Sequence, residues 1–224
     1  MPRVHRVIAP GHYYHFYNRG HNRMQLFHGR RDYIAFLWLL AEAMDLVPVP
    51  LFAACLMPNH VHFVFSPLEA DDLARWAHWL FTTHAGRYRH QHQTSGSVWG
   101  GRFKTSLVQD DRHLLTVLRY VERNALRARL VERAERWEWG SASWRTWETS
   151  PLFVASPPIA LPDRWLEFVN APQTAEEVAA IRRSLECQLP FGDDEWRDAK
   201  AREFGIRLSG APRGRPRRPI VTTK

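Results

Sequence analysis

Two histidines with a single valine between them, His60 and His62, are the first residues whose types and spacing suggest chemistry. On a β-strand, side chains two residues apart point to the same face, so the two imidazoles could bind one metal ion. The preceding Pro58-Asn59 would place them at the mouth of the strand. This spacing is common by chance, however, and two surface histidines on an alternating strand would have the same spacing.

A second group of candidates lies on a predicted helix. Tyr120 and Asn124 are four residues apart and therefore share a face, which Arg127 continues, with Arg123 beside it. This set suits phosphoryl chemistry, with the phenol as nucleophile, the Asn oxygen as a metal ligand and the arginines on phosphates. Considered alone, the helix is better explained by a core tyrosine and a solvated arginine face.

The segment Trp99–Lys104 combines two glycines with basic and aromatic residues. Glycine lets a backbone come close to a ligand. Alternation along a strand would place Arg102 and Lys104 on one side and Phe103 on the other. That pattern suits single-stranded nucleic acid. An ordinary glycine turn that enters a strand explains it equally well.

Basic residues accumulate at the C-terminal end. The net charge is +8, of which the segment Gly210–Lys224 carries +5 and the remainder +3, which suggests a polyanionic partner such as nucleic acid. A thin arginine-rich chain can lie in the minor groove of DNA. A disordered basic tail with non-specific, salt-dependent attraction is the alternative. The arginines concerned are Arg213, Arg215, Arg217 and Arg218.

Hydrophobic spacing predicts the elements that must position these residues. The predicted strands are His12–Asn18, Leu51–Met57, His60–Phe65 and Phe103–Val108. The predicted helices are Arg31–Leu46, Asp71–Gln91, Arg112–Val131, Thr174–Gln188 and Asp193–Phe204, with Asp110-Asp111 able to cap the third. Residues 137–158 look irregular. This order predicts an α+β, ferredoxin-like sandwich with a mainly antiparallel sheet and helices packed on it.

The predicted organisation is a catalytic domain over residues 1–145, a C-terminal helical extension over 146–208 and a basic, disordered tail over 209–224. The only cysteines, Cys55 and Cys187, support neither a disulfide scaffold nor a cysteine zinc site. The longest apolar run, Ile34–Met44, is too short to span a bilayer, and no signal peptide is recognisable at the N-terminus. We therefore expect a cytoplasmic protein without a membrane partner.

Together, these motifs resemble the single-tyrosine HUH transposases (the insertion-sequence-200-like superfamily) and, within them, the REP-associated tyrosine transposases. The resemblance covers about residues 10 to 145. The matching stretches, in order, are Tyr13–Phe27, the HUH strand Leu56–His62, the W-x-G-R-[FY]-K segment Trp99–Lys104 and the catalytic helix Leu115–Val131. The Gly-Arg-Pro-Arg tail is similar to one in the REP-associated branch.

The resemblance implies an activity and a site. Tyr120 would attack single-stranded DNA, form a covalent 5′-phosphotyrosine and release a 3′-hydroxyl that can later reverse the step. His60, His62 and Asn124 would hold a divalent metal. Imidazoles alone would favour zinc, whereas the family implies magnesium or manganese, which we adopt. The residues that we expect to bind DNA are Arg19, Arg102, Lys104, Arg123, Arg127, Arg213, Arg215, Arg217 and Arg218.

The sequence departs from the family at two positions. Ala125 stands where proline is frequent, which should favour a straighter helix, and Arg129 stands where glycine is frequent. The implied target is a short palindromic repeat that folds into a hairpin, and the protein would act as a monomer or homodimer. Two other functions remain open. One is a domesticated, sequence-specific DNA-binding protein without catalysis, and the other is a metal-dependent hydrolase that uses water.

Overall fold

The computed structural model describes residues 8–146 and 154–208. Its core is a four-stranded antiparallel sheet in the order β2-β3-β1-β4. The strands are β1 (Tyr13–Arg19), β2 (Leu51–Met57), β3 (His60–Phe65) and β4 (Lys104–Val108). Helices α1 (Arg30–Leu46) and α2 (Asp72–His92) connect β1 to β2 and β3 to β4. The predicted α+β, ferredoxin-like sandwich is confirmed.

Side-chain alternation divides the sheet into two faces. Phe16 of β1 and Phe63 of β3 point to the face that α1 and α2 cover, where they pack with Phe36 and Trp76. The opposite face receives α3 (Arg112–Glu122), whose apolar side chains pack on β2 and β3. Because successive strand residues face opposite sides, one strand supplies both a core and a site.

The C-terminal helices pack on both apolar clusters. They are α5 (Ser141–Trp144), α6 (Trp165–Asn170), α7 (Ala175–Cys187) and α8 (Asp194–Glu203). Trp165 and Ile181 belong to the same apolar cluster as α3, whereas Trp196 of α8 packs against the cluster on the other face. Phe191 extends the sheet edge, since its amide donates to the carbonyl of Leu107 over 2.7 Å. The predicted extension therefore packs on the sheet that carries the candidate site.

The predicted helix Arg112–Val131 is wrong in its length and continuity. Asp111 caps its start, as predicted, by accepting from the amide of His113. The helix then breaks at Arg123, whose backbone adopts a ψ of −4°, and resumes as α4 (Asn124–Arg127). It ends there because Arg129 takes the left-handed conformation, with a φ of 58°, so the expected straight helix is not observed.

Two short α-helices were not predicted. α5 lies within the segment expected to be irregular, and α6 lies in a stretch for which the sequence suggested no element. Each is less than two turns long, so neither displays enough of the helical repeat to be recognised. The predicted tail and residues 147–153 lie outside the described residues.

Candidate active site

His60 and His62 lie on the face of β3 that α3 covers. The turn at Pro58-Asn59 precedes them, and Val61 between them is buried on the opposite face. Their ring centroids are 5.2 Å apart. The structure therefore brings the two histidines together on one side of the sheet, as strand alternation requires.

Each of these histidines is held through its Nδ1 atom. His60 Nδ1 donates to the side-chain oxygen of Asn59 over 2.6 Å. The side-chain nitrogen of Asn59, Nδ2, in turn donates to the main-chain carbonyl of Arg23. His62 Nδ1 lies 2.9 Å from Nε2 of His15 on β1. No hydrogen bond to the Nε2 atom of either ring occurs within residues 8–146 and 154–208. The Nε2 atoms are therefore the ones available to a ligand.

The surroundings keep both imidazoles neutral. Burial, together with the nearby positive charges of Arg19 and Arg127, lowers the pKa of His60 to about 3. Burial, the imidazoles of His15 and His60, and the same two arginines hold the pKa of His62 well below its ordinary value. A neutral imidazole has the lone pair that a metal ligand needs.

Tyr120 of α3 packs against His62 and against His15 on the neighbouring strand. Its side chain is only 3% exposed, and its ring meets the rings of His15 and His62 edge-on, with centroids 5.6 and 5.7 Å away. The guanidinium of Arg127 lies 4.2 Å from the centre of the same ring. Arg127 also donates to the side-chain oxygen of Asn124 over 2.7 Å. Tyr120, Asn124 and Arg127 thus stay together despite the break at Arg123.

Several buried donors at this site have no partner. Within the described part of the chain, no acceptor reaches Asn124 Nδ2, Arg127 Nη1 or Arg19 Nε. Buried polar groups without a partner are uncommon in folded proteins and need an explanation. These three atoms can act only as hydrogen-bond donors, and two of them belong to positively charged side chains. Their missing partner should therefore be an acceptor with negative charge, such as a phosphate.

The donor set fits a hard divalent ion only if DNA completes it. No group of three or more His, Cys, Asp or Glu residues suited to a metal occurs in the described ranges. Two imidazoles are present, and Asn124 Oδ1 can add a third ligand because an amide oxygen that accepts from Arg127 still has a lone pair. Phosphate oxygens and water would supply the remaining positions.

The predicted grouping of Arg102 with Lys104 is wrong. Lys104 pairs with Tyr17 across the sheet, so it shares the face on which Tyr17 contacts both His60 and His62. Arg102 precedes the strand and lines a cavity of about 740 Å³ beside α2, together with Phe103. The strand begins only at Lys104, so alternation does not extend back to Arg102.

The remaining predicted DNA contacts differ in their surroundings. Arg19 lies opposite His60 in the sheet, with its guanidinium 5.4 Å from the centre of the Tyr17 ring. Arg123 instead donates to the main-chain oxygens of Val169 and Asn170 at the end of α6. Four further arginines predicted to bind DNA lie outside the described residues, namely Arg213, Arg215, Arg217 and Arg218.

Sequence reasoning missed His15 and Tyr17 as site residues. Both lie on β1, beside β3, and their rings contact that of His62. A signal was present, because Tyr13, His15 and Tyr17 alternate along the strand predicted over His12–Asn18. This alternation identifies site residues only when the strand next to β1 is known. Strand pairing joins residues that are far apart in the sequence, so local spacing does not reveal it.

The family that this chain matches agrees with the geometry of the site. The chain matches the family model described as "Transposase IS200 like" over residues 9–124, just over half of its 224 residues. No curated protein sequence matches it. No helix in the described ranges is long and apolar enough to cross a membrane.

The solved structures that are similar to the chain include two transposases. One is a REP-associated tyrosine transposase bound to a REP hairpin, with 16% identity, a TM-score of 0.54 and coverage of 71% of this chain and 100% of that one. The other, a candidate transposase from Deinococcus radiodurans R1, has 16% identity over 55% of this chain and 96% of that one, but its TM-score of 0.38 supports no argument. At these identities the first likeness concerns the fold alone. The match to the family model over residues 9–124 places this chain in the IS200-like transposase family.

Proposed function

We propose that this protein cleaves and rejoins single-stranded DNA, with Tyr120 as the nucleophile and a covalent 5′-phosphotyrosine as the intermediate. One observation carries the proposal. The ring of Tyr120 contacts both His62, a candidate metal ligand, and Arg127, a cation with an unpaired buried donor. A nucleophile, a metal-binding imidazole and a phosphate-binding group are the three parts that such a reaction needs.

The side chains have distinct parts in this reaction. The phenol oxygen of Tyr120 forms a bond to phosphorus as the bond from phosphorus to the 3′-oxygen breaks. The phenol gives up its proton, and the departing 3′-oxygen takes one up. The unpaired donors of Arg127 and Asn124 would bind the non-bridging phosphate oxygens, on which negative charge increases. Attack by a free 3′-hydroxyl on the phosphotyrosine reverses the step and joins strands.

The metal site of this proposal consists of His60, His62 and Asn124. Magnesium or manganese bound there would polarise the scissile phosphate. The orientation of His60, whose Nδ1 is tied to Asn59, supports this role because it leaves Nε2 free.

The DNA partner is the least constrained part of the proposal. The similar structure of a REP-associated tyrosine transposase contains a REP hairpin. We propose, by analogy with that complex and from the motifs of the sequence, that this protein also binds hairpin-forming repeats. A monomer and a homodimer are both compatible with this proposal.

A covalent-adduct assay tests the proposed chemistry. Purified protein is incubated with manganese and a single-stranded hairpin DNA, and the products are separated on a denaturing gel. Because the 5′-phosphate side becomes attached, a 3′-end label should migrate with the protein, and a 5′-end label should appear in a free fragment. Tyr120→Phe should abolish the adduct while DNA binding survives.

Tyr17→Phe is the matched control, because Tyr17 is the other tyrosine that contacts the histidines. Burial raises the pKa of Tyr17, which disfavours the nucleophilic phenolate, so this variant should still form the adduct. An adduct that persists in Tyr120→Phe would rule out Tyr120 as the nucleophile. Hairpin binding without any cleavage would favour a DNA-binding protein, and cleavage without an adduct would favour a hydrolase.

A further inference from the structure

His15 is a buried histidine that the proposed chemistry does not use. It is 1% exposed, lies in the middle of β1 and bonds through Nε2 to Nδ1 of His62. It is a diagonal neighbour of His62, since Tyr17 is the residue directly opposite. The two rings are stacked with their centroids 5.0 Å apart. His15 is therefore in a position to control how His62 is oriented.

One proton lies between the two imidazoles, and it can be bound either to His62 Nδ1 or to His15 Nε2. If it sits on His62 Nδ1, then His15 accepts through Nε2 and carries its own proton on Nδ1, a buried atom without a partner in the described ranges, and His62 keeps a lone pair on Nε2. If it sits on His15 Nε2, then His62 accepts through Nδ1 and carries its own proton on Nε2. Only the first arrangement lets His62 bind a metal through Nε2, because a protonated ring nitrogen has no lone pair to donate.

His15 is the only side-chain hydrogen-bond partner of His62 in the described part of the chain. Cys55, directly opposite His62 on β2, is bonded through its thiol to Met57 Sδ rather than to His62. Tyr17 and Tyr120 contact His62 through their rings. Ser106, the neighbour of His15 on the other side, is already bonded to Ser184 and to the carbonyl of Leu189. A metal-bound His62 without His15 would therefore carry a buried Nδ1–H that has no partner.

We infer that His15 is a positioning residue that accepts from Nδ1–H of His62, and so fixes the tautomer and ring orientation in which His62 binds the metal. The inference rests on the proposed metal site and adds a residue to it. Hydrogen-bond partners of metal-binding histidines act in this way in other proteins, and their removal lowers metal affinity by about 10- to 100-fold.

Manganese affinity, measured without DNA, tests this role separately from catalysis. Free manganese is followed by electron paramagnetic resonance in the full-length protein. His15→Phe should weaken binding by about 10- to 100-fold. His15→Gln should restore it to within a few-fold of the wild type, because the amide oxygen can accept from His62. The matched control is His84→Phe, which removes a buried histidine of α2, the helix on the other side of the sheet. This variant should leave the affinity for manganese unchanged.

Two results would overturn the inference in different ways. If His62→Ala abolishes manganese binding but His15→Phe binds like the wild type, His15 has no positioning role and the proposed site stands. If His60→Ala and His62→Ala both bind normally, the metal site itself is wrong and the inference falls with it. The covalent-adduct assay decides independently whether Tyr120 acts as the nucleophile.

A spectroscopic measurement covers the case in which His15→Phe does not fold. In wild-type protein saturated with magnesium, long-range proton–nitrogen correlations report which ring nitrogen of His62 carries the proton. A proton on Nδ1 is expected. A proton on Nε2 would contradict the inference without any variant.

Discussion

The guanidinium of Arg127 lies over the ring of Tyr120, with 4.2 Å between its central carbon and the ring centroid. Through another nitrogen it holds the oxygen of Asn124, so one side chain connects the candidate nucleophile with the candidate metal ligand. Burial lowers the pKa of Arg127, yet one of its buried nitrogens has no partner in the described ranges. Arg127 is thus poised to receive a negatively charged group beside Tyr120.

Replacement of Arg127 should slow formation of the covalent adduct more than it weakens DNA binding. Loss of one preorganised donor at a developing charge typically lowers the rate by about 100- to 1,000-fold, which we expect for Arg127→Ala. Arg127→Lys should recover only part of the rate, because an ammonium lacks the planar fork that reaches phosphate and Asn124 together. The measurement is the single-turnover rate of adduct formation, with DNA affinity determined in parallel.

Arg112→Ala provides the control for general charge effects, since Arg112 is an exposed arginine at the start of α3, the helix that precedes α4 and Arg127. Its adduct rate should remain close to that of the wild type. Equal rates for Arg127→Ala and Arg112→Ala would show that Arg127 contributes only bulk positive charge.

Lys104 and Arg102 should differ in their effect on DNA, although only two positions separate them. Lys104 shares the sheet face of Tyr17, whereas Arg102 lines the cavity beside α2. Lys104→Ala should weaken binding of the cleaved strand and reduce the slope of log affinity against log salt by about 0.7, the value for one phosphate contact on single-stranded DNA. Arg102→Ala should leave the adduct rate unchanged. A larger effect of Arg102 on that rate would contradict this assignment of faces.

Local patterns in the sequence predicted the elements well. β2 and β3 have the predicted bounds, and β1 begins and ends one residue later than expected. These strands are recognisable because their side chains alternate or form short apolar runs bounded by turn residues. The candidates His60, His62, Tyr120 and Asn124 could be chosen for the same reason, since each pair shares a face through local spacing.

What the sequence did not reveal depends on long-range pairing. His15 is next to His62 only because β1 pairs with β3. Likewise, Arg123 was grouped with the phosphate-binding residues, yet its side chain is anchored to α6, a helix that the sequence did not predict. Such contacts join residues far apart in the chain, which propensity and spacing cannot relate.

Glu122 should be essential for stability rather than for chemistry. It is 2% exposed and accepts hydrogen bonds from Ser141, Arg145 and Trp165. It therefore links α3 to α5 and to α6 of the extension. Glu122→Gln leaves Arg145 without its charged partner, and breaking a buried pair in this way costs about 3 kcal/mol. The free energy of unfolding from urea titration is the measurement.

Glu132→Gln supplies a matched control, because Glu132 is exposed and should tolerate loss of its charge. Both proteins should unfold in one transition, since the extension shares the core of α3. An unchanged stability of Glu122→Gln would mean that Glu122 does not hold these helices together.

Stability of the metal-free protein should decrease as the pH falls below about 6.5. Burial is the main cause that lowers the pKa of His15 and of His60 to about 3, and the positive charge of Arg127 adds to it at both positions. The pKa of His62 is lowered in the same way. In the unfolded chain these values return to about 6.5, so the unfolded state binds more protons between pH 3 and 6.5. The free energy of unfolding therefore rises with pH through this window and levels off above it.

The groups that face this cluster reinforce the direction of the effect. They are Tyr17, Arg19, Cys55, Asn59, Lys104, Tyr120 and Arg127, none of which is a carboxylate that could stabilise a charged imidazole. Burial raises the pKa of the Cys55 thiol, so it too carries no negative charge in this window. Urea midpoints measured in EDTA at pH 7.5, 6.5, 5.5 and 4.5 check the prediction. His60→Gln should show a shallower decline, because one fewer histidine must remain unprotonated for the protein to fold. Equal declines in the wild type and in His60→Gln would show that acid sensitivity arises elsewhere in the molecule.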